Sequence, residues 1–129
     1  SVAACDRVAR MAEEKGVRAT PLSVAGAFHS PFMASAAEGM RKALLNTALH
    51  APEIDVWSNV TAELHEYNSI IDQLVDQITD SVLWAQSCSK MATRYDGCDW
   101  HELAPSGVLR GLMRRIDKKV KVEANGEPK

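Results

Sequence analysis

A strand that runs directly into a helix is the sequence feature that most constrains the fold, and residues 21–33, PLSVAGAFHSPFM, have that pattern. Residues 21–24 predict a short buried strand, while Ser30 followed by Pro31 predicts the cap and first turn of a helix. His29 lies between the two, held by backbone on both sides. A neutral imidazole at such a junction is able to accept a proton from a hydroxyl or a thiol. His29 is therefore a candidate general base, and the alternative is a partly buried histidine with a local hydrogen bond.

The rest of the chain alternates between helical and extended patterns. Apolar residues at helical spacing predict helices, and short apolar or alternating runs predict strands. The predicted helices cover 2–15, 31–49, 70–78, 82–95 and 108–116, and the predicted strands cover 17–24, 54–60 and 99–103. Gly16 is expected to end the first helix, residues 104–107 are expected to form a turn, and the tail 117–129 is expected to fray. Strands that alternate with helices are typical of the α/β class.

Composition excludes several classes of function. Of the 129 residues, 46% are hydrophobic and 25% are charged, and the formal net charge is −2, so nothing in the whole chain favours a nucleic-acid or anionic-membrane partner. The apolar runs fall short of the roughly 20 residues of a membrane span, and the sequence shows no secretory signal. Three cysteines without a CxxC spacing favour reduced thiols in a cytoplasmic compartment. The four scattered histidines have no metal-ligand spacing, so we expect no metal site.

Two further sets of side chains are candidates on pattern alone. Asn59, at the end of the predicted strand 54–60, either orients a substrate or holds a loop, because asparagine suits turns. Arg110, Arg114 and Arg115 belong to a basic set near the C-terminus, which is either a solvated helix face or a docking surface for an acidic partner. No GxSxG motif occurs, so a histidine base in this sequence lacks a serine elbow of its own.

Four ordered blocks resemble a known family: GAFHSPFM, APEIDVWSNVTA, DQITDSVLWAQS and HELAPSGVLRGLMRRI. They are similar to the C-terminal half of malonyl-CoA:acyl carrier protein transacylases and of related acyltransferase domains in polyketide and fatty acid synthases. The resemblance implies the C-terminal part of a hydrolase-like α/β acyltransferase fold. Residues 1–24 would be the last helix and strand of a ferredoxin-like small subdomain, 25–116 part of the larger subdomain, and 117–129 a flexible tail. A start without methionine, inside a predicted helix, indicates a fragment.

The resemblance also assigns roles to individual positions. His29 corresponds to the family's base for the active-site serine and then for the incoming thiol, and the backbone carbonyl of Gln77 corresponds to the group that orients it. Phe28 corresponds to a position where phenylalanine favours malonyl over methylmalonyl, because its ring fills the space of the extra methyl; such discrimination is worth ~1–3 kcal/mol. Asn59 corresponds to an asparagine near the active site.

The implied function is [acyl-carrier-protein] S-malonyltransferase activity, the transfer of malonyl from malonyl-CoA to the phosphopantetheine thiol of holo acyl carrier protein in cytoplasmic fatty acid biosynthesis, with no bound cofactor. The implied partners are the carrier protein, the coenzyme A thioester and an N-terminal portion of the same enzyme. The family's serine elbow GHSxGE has no counterpart in these 129 residues, so the isolated chain is expected to be inactive. Two alternatives remain open: a non-catalytic module that binds a carrier or partner protein, and a piece of a polyketide synthase acyltransferase domain.

Overall fold

The computed structural model describes residues 1–21, 24–104 and 107–126. Two 3₁₀ turns, Pro31–Met33 and Tyr67–Ser69, lead into the second and third helices. The helices are α1 (Val2–Glu14), α2 (Ala34–Leu45), α3 (Ile70–Asp76), α4 (Trp84–Arg94) and α5 (Val108–Ile116), and the strands are β1 (Trp100–Glu102) and β2 (Val122–Ala124). The helices and the small parallel sheet confirm the predicted α/β class.

Helix α1 ends where the sequence predicts. Gly16 adopts a φ of +66°, a left-handed conformation that glycine reaches without a side-chain clash. The N–H of Val17 then donates to the carbonyl of Ala12 at 2.8 Å, which closes the end of the helix. None of the 13 residues of α1, all of them described, is buried. The apolar side of α1 therefore faces solvent in this structure.

The predicted strand over 17–24 does not form in the part that the structure describes. Residues 17–21 have irregular backbone, and both Val17 and Val24 are exposed instead of buried. Residues 22 and 23 lie outside the described residues. A strand is stabilised by pairing with a neighbour, and no described residue pairs with this segment. The apolar side chains of Val17 and Val24 were therefore not enough to place the described part of the segment in a strand.

The predicted strand over 54–60 is also wrong. Only Trp57 makes a β-bridge, antiparallel to Leu64. Between them the chain turns tightly, with Ala62 at a φ of +54° and its N–H donating to the carbonyl of Ser58 at 3.0 Å. The alternation in the sequence fitted a strand, but the segment is used to close a turn.

Helices α2 and α3 pack together through small and branched side chains. Ala37 and Val75 are buried, and Nη1 of Arg41 lies 2.6 Å from Oδ1 of Asp72 across the two helices. Phe32, in the 3₁₀ turn before α2, is 88% exposed.

Helix α2 is shorter than predicted because polar side chains end it. The prediction ran to residue 49, whereas the helix ends at Leu45. Asn46 Nδ2 donates to the carbonyl of Lys42 at 2.7 Å, and Thr47 Oγ1 donates to the carbonyl of Ala43 at 2.9 Å. These bonds satisfy carbonyls that a longer helix would have used.

The elements β1, α5 and β2 form a βαβ unit. The two strands are parallel, with Trp100 opposite Val122 and Glu102 opposite Ala124. Strand β2 lies inside the segment 117–129, so the prediction of a flexible tail is wrong at that strand. The alternation of apolar and charged residues in VKVEA suits a strand with one covered face. Residues 127–129 and two residues of the predicted turn 104–107 lie outside the described residues.

The buried core is small, and large apolar surfaces remain open. The buried apolar residues among those described are Ala37, Ala62, Val75, Cys88 and Met113. The surface area is 10175 Å², whereas a folded monomer of this mass exposes about 6,700 Å². Among the described residues, no helix combines the length and the apolar character that crossing a membrane requires.

Candidate active site

His29 lies in a short turn just before the 3₁₀ turn Pro31–Met33, and its side chain is exposed to solvent. Its φ is +59°, in the left-handed region that residues other than glycine rarely adopt. Ser30 is extended, with a φ of −146° and a ψ of 160°. Its hydroxyl donates to the carbonyl of Ala27 at 2.6 Å and closes the turn around the histidine. The ring is thus accessible while its backbone is constrained.

The loop between α3 and α4, residues 77–83, holds this turn in place. The carbonyl of Ile78 accepts a hydrogen bond from the backbone N–H of His29 at 3.0 Å. The carbonyl of Asp80 lies 3.1 Å from Nδ1 of the imidazole. The resemblance predicts this orienting carbonyl at Gln77. That position is wrong in this structure, because the carbonyl beside Nδ1 belongs to Asp80, three positions later. The loop supplies a main-chain acceptor as expected, but from Asp80.

The contact with Asp80 determines which nitrogen of the neutral ring carries the proton. A carbonyl oxygen only accepts hydrogen bonds. Nδ1 of His29 must therefore be the N–H donor for this bond to exist, and this assignment follows from the partner. Nε2 then presents its lone pair, which is the form that a general base requires.

Asn59 is tied to the same loop. Its backbone carbonyl accepts a hydrogen bond from the N–H of Leu83 at 2.7 Å. The residue also lines a cavity of about 380 Å³, together with Trp57, Trp84 and Met113. One loop therefore contacts both His29 and Asn59, which lie thirty positions apart in sequence. The loop-holding interpretation of Asn59 has a contact to support it, and its substrate role stays a prediction.

Phe28 precedes the histidine and is 56% exposed. Gly26 lies against it, since a Cβ at Gly26 would be 3.7 Å from both the Phe28 ring and the sulfur of Met33. The ring is thus placed beside His29 and open to a ligand. Its part in acyl-group selection stays a prediction.

The predicted basic set divides into two groups. Arg110 and Arg114 line a groove of about 310 Å³ beside α5, together with Lys118 and Lys121. Gly111 forms part of its wall, and a Cβ there would meet open space. Arg115 does not line this groove. The structure therefore brings together two of the three predicted docking arginines with two lysines of the same C-terminal basic set.

Three titratable groups outside the His29 turn have shifted pKa values, and for one of them, Arg94, hydrogen bonds with Tyr95 and Asp55 raise the pKa. The hydrogen bond from the Tyr95 hydroxyl, helped by Arg94, holds the pKa of the Asp55 carboxyl below its ordinary value. Arg94 Nε donates to Asp55 at 3.1 Å. Burial raises the pKa of the Cys88 thiol, which keeps that thiol protonated.

Sequence reasoning missed three residues that shape this region. Ser30 was noted only as a helix cap, although the SP pair after the histidine was visible. Asp80 acts through its main chain, which leaves no side-chain signature. Glu102 is 3% exposed, and its carboxylate accepts hydrogen bonds from the N–H groups of Leu109 and Arg110, both at 3.0 Å. The contact joins β1 to α5 across seven and eight positions, so no local capping motif in the sequence indicates it.

The exposed histidine and the main-chain carbonyl beside it have the arrangement that the resemblance to the acyltransferase class implies. No family model matches the chain. A polyketide-biosynthesis malonyl CoA-acyl carrier protein transacylase of Bacillus subtilis is 39% identical over 98 residues, which cover 76% of this chain and 34% of that protein. The crystal structure of malonyl-CoA:acyl carrier protein transacylase from Xanthomonas oryzae pv. oryzae matches with a TM-score of 0.86 and 34% identity, over 98% of this chain and 40% of that one.

A third comparison is a malonyl-transacylase solved in complex with its type II polyketide synthase acyl-carrier protein. It matches with a TM-score of 0.86 and 26% identity, over 95% of this chain and 40% of that chain. The homologues and structural neighbours of the chain are thus malonyl-CoA:acyl carrier protein transacylases, which confirms the family resemblance and the fold. The chain spans about a third of the length of the curated relative and two-fifths of the solved chains, as expected for the C-terminal portion.

Proposed function

We propose that this chain supplies the general base of a malonyl-CoA:acyl carrier protein transacylase. The observation that carries the proposal is the exposed imidazole of His29, whose Nδ1 faces the Asp80 carbonyl at 3.1 Å. That contact leaves Nε2 free to take a proton. The resemblance supplies the reaction, and the contact between Nδ1 and the Asp80 carbonyl supports a base in the required tautomer.

The proposed reaction has two half-steps that reuse His29. Nε2 takes the proton of a serine hydroxyl as that oxygen attacks the malonyl thioester, and the proton passes to the departing coenzyme A thiolate. Nε2 then takes the proton of the carrier's phosphopantetheine thiol as its sulfur attacks the malonyl-serine ester. The serine oxygen leaves and regains a proton from the imidazolium. No bound cofactor is needed for either half-step.

The serine is proposed to come from an N-terminal portion of the same enzyme. The open apolar surface supports this, because the chain exposes about 1.5 times the area expected for its mass. The greater length of the relatives supports it as well. A non-catalytic module that binds a partner would use the same surface. An in-frame GHSxGE encoded upstream of Ser1 favours the enzyme, and a start codon near Ser1 favours the module.

A chimera tests the role of His29. This chain replaces the corresponding portion of the Xanthomonas oryzae transacylase, and malonyl transfer to holo carrier protein is measured. We expect the chimera to be active and His29→Ala to lower kcat by about 10²- to 10⁴-fold. His50→Ala is the matched control, since His50 is exposed and lies outside the turn. A folded chimera that is inactive, or that is indifferent to His29→Ala, would contradict the proposal.

We further propose that the groove beside α5 receives the acidic carrier protein. Four cationic side chains line the groove, namely Arg110, Arg114, Lys118 and Lys121. Such a patch raises association rates and makes them dependent on salt. Arg115 provides the control. Arg114→Glu is expected to raise the KM for carrier about tenfold, with a smaller effect for Arg115→Glu. Equal effects would refute the groove, and no effect of either would refute docking at α5.

The proposed pathway is fatty acid synthesis. The alternative is polyketide synthesis, and the description of the Bacillus subtilis relative is the observation that supports it. Comparing kcat/KM for fatty acid and polyketide carrier proteins in the same chimera distinguishes them. A preference for the polyketide carrier would overturn the fatty acid assignment.

A further inference from the structure

The left-handed backbone of His29 needs a structural cause. At a φ of +59° a residue with a Cβ is strained, and such strain persists only where surrounding contacts impose it. The α3–α4 loop provides two contacts, from Ile78 to the backbone N–H and from Asp80 to Nδ1. Both contacts require that His29 has the left-handed backbone conformation that directs its N–H and its ring toward the loop.

A third contact lies within the turn itself. The hydroxyl of Ser30 donates to the carbonyl of Ala27 at 2.6 Å, so that Phe28 and His29 form the tip of a closed turn. Ser30 is half-buried, and it directly follows the strained residue His29. Its carbonyl also accepts from the N–H of Met33 at 3.0 Å, which anchors the turn to the following 3₁₀ turn. The α3–α4 loop therefore contacts the turn at His29, whereas the side chain of Ser30 closes the turn on the carbonyl of Ala27.

We propose that Ser30 is a positioning residue for the base. By closing the turn on the Ala27 carbonyl, its hydroxyl holds His29 in the left-handed conformation that brings Nδ1 to Asp80. Loss of the hydroxyl frees the turn to relax toward negative φ, which carries the imidazole away from the carbonyl. The catalytic significance of this role rests on the proposed function of His29, but the conformational role does not.

Threonine and valine at position 30 make a matched pair of variants. They have nearly the same shape, and the extended backbone of Ser30 suits β-branched residues. Threonine retains the hydroxyl and valine lacks it. Any effect of chain packing or side-chain bulk is therefore shared, and the difference between the two variants reports on the hydrogen bond. Ser30→Ala serves as a second hydroxyl-free variant if Ser30→Val does not fold.

Nitrogen NMR of the 129-residue chain with labelled histidine measures the tautomer and backbone conformation of His29 and does not depend on an activity assay. Signals of His29 are assigned by their loss in His29→Ala. The parent chain and Ser30→Thr are expected to show the Nδ1–H tautomer and the strong intraresidue amide-to-Hα NOE of a positive φ. Ser30→Val and Ser30→Ala are expected to shift toward Nε2–H and to lose that NOE. The same tautomer and NOE in the threonine and valine variants would overturn the proposal.

Kinetics of the chimera then test the catalytic consequence. Ser30→Val is expected to lower kcat about 3- to 10-fold at unchanged KM, as the loss of one hydrogen bond predicts. Ser30→Thr is expected to retain the parent kcat. Equal kcat values for the two variants would contradict the positioning role. If His29→Ala keeps its activity, the proposed function fails, whereas the NMR comparison still decides the role of Ser30.

Discussion

Replacing Glu102 is expected to destabilise the C-terminal βαβ unit more than any change to a surface carboxylate. The carboxylate is 3% exposed, at the end of β1, and accepts one hydrogen bond with each oxygen, from Leu109 and Arg110. These N–H groups belong to the first turn of α5, which has no side-chain cap from its own N-cap residue. Glu102 therefore performs the capping from a neighbouring strand.

The magnitude follows from those two bonds. A hydrogen bond to a charged group contributes about 1.5–3 kcal/mol, and loss of a helix cap costs about 0.5–2 kcal/mol. Water reaches α5 in part, since Leu109 is 38% exposed, and it recovers some of the loss. We expect Glu102→Ala to lower the free energy of unfolding by about 3 kcal/mol. Glu102→Gln keeps one acceptor oxygen but turns an amide donor toward an N–H, so about 1.5 kcal/mol is expected.

Urea unfolding followed by circular dichroism measures the loss, and amide exchange at Leu109 and Arg110 locates it. Glu123→Gln is the matched control, because Glu123 is an exposed carboxylate on the neighbouring β2. That change is expected to stay within about 0.5 kcal/mol. If Glu102→Gln costs no more than Glu123→Gln, the carboxylate does not cap α5 and the reasoning fails.

Three further predictions concern single side chains. The Tyr95 hydrogen bond lowers the pKa of Asp55, so the ionised Asp55 stabilises the fold at neutral pH, and this stabilisation fades as the pH falls through and below about 3.9. The urea midpoints of Asp55→Asn and the parent should therefore differ at pH 6 and converge in acid. A gap that stays constant with pH would contradict this. Burial raises the pKa of Cys88, so iodoacetamide should alkylate the exposed Cys98 first, and equal rates by mass spectrometry would contradict the burial. In the chimera, Phe28→Ser should raise the kcat/KM ratio of methylmalonyl to malonyl about tenfold; an unchanged ratio would remove Phe28 from acyl selection.

Helices were predictable in this chain because their signal is local. The predicted helix over 108–116 coincides with α5 (Val108–Ile116), in which Met113 is buried. Strands depend on partners that sequence periodicity does not identify. The runs 54–60 and 120–124 both alternate, but the first closes a turn, whereas residues 122–124 of the second pair with β1. The pairing partner, and not the pattern, decided both cases.

The candidate site was predictable wherever a side chain carried the signal. His29 and Phe28 follow from the block GAFHS, and the structure leaves both exposed in one turn. The resemblance predicts the orienting carbonyl at Gln77. A main-chain acceptor has no residue signature, so nothing in the sequence indicates that this position is wrong. Its true position depends on how α3 ends: the N–H of Asp80 donates to the carbonyl of Asp76 at 2.8 Å, which turns the next peptides toward the histidine.

The α3–α4 loop sets the geometry of the site through its main chain. Three of its main-chain groups, at Ile78, Asp80 and Leu83, bind His29 twice and Asn59 once. Because these contacts are made by backbone, most side chains of the loop are free to vary without moving the imidazole. A change in the length of the loop, by contrast, would shift all three contacts together. The position of the base is therefore governed by where α3 stops and α4 starts, and the charge of the residues between them has little part in it.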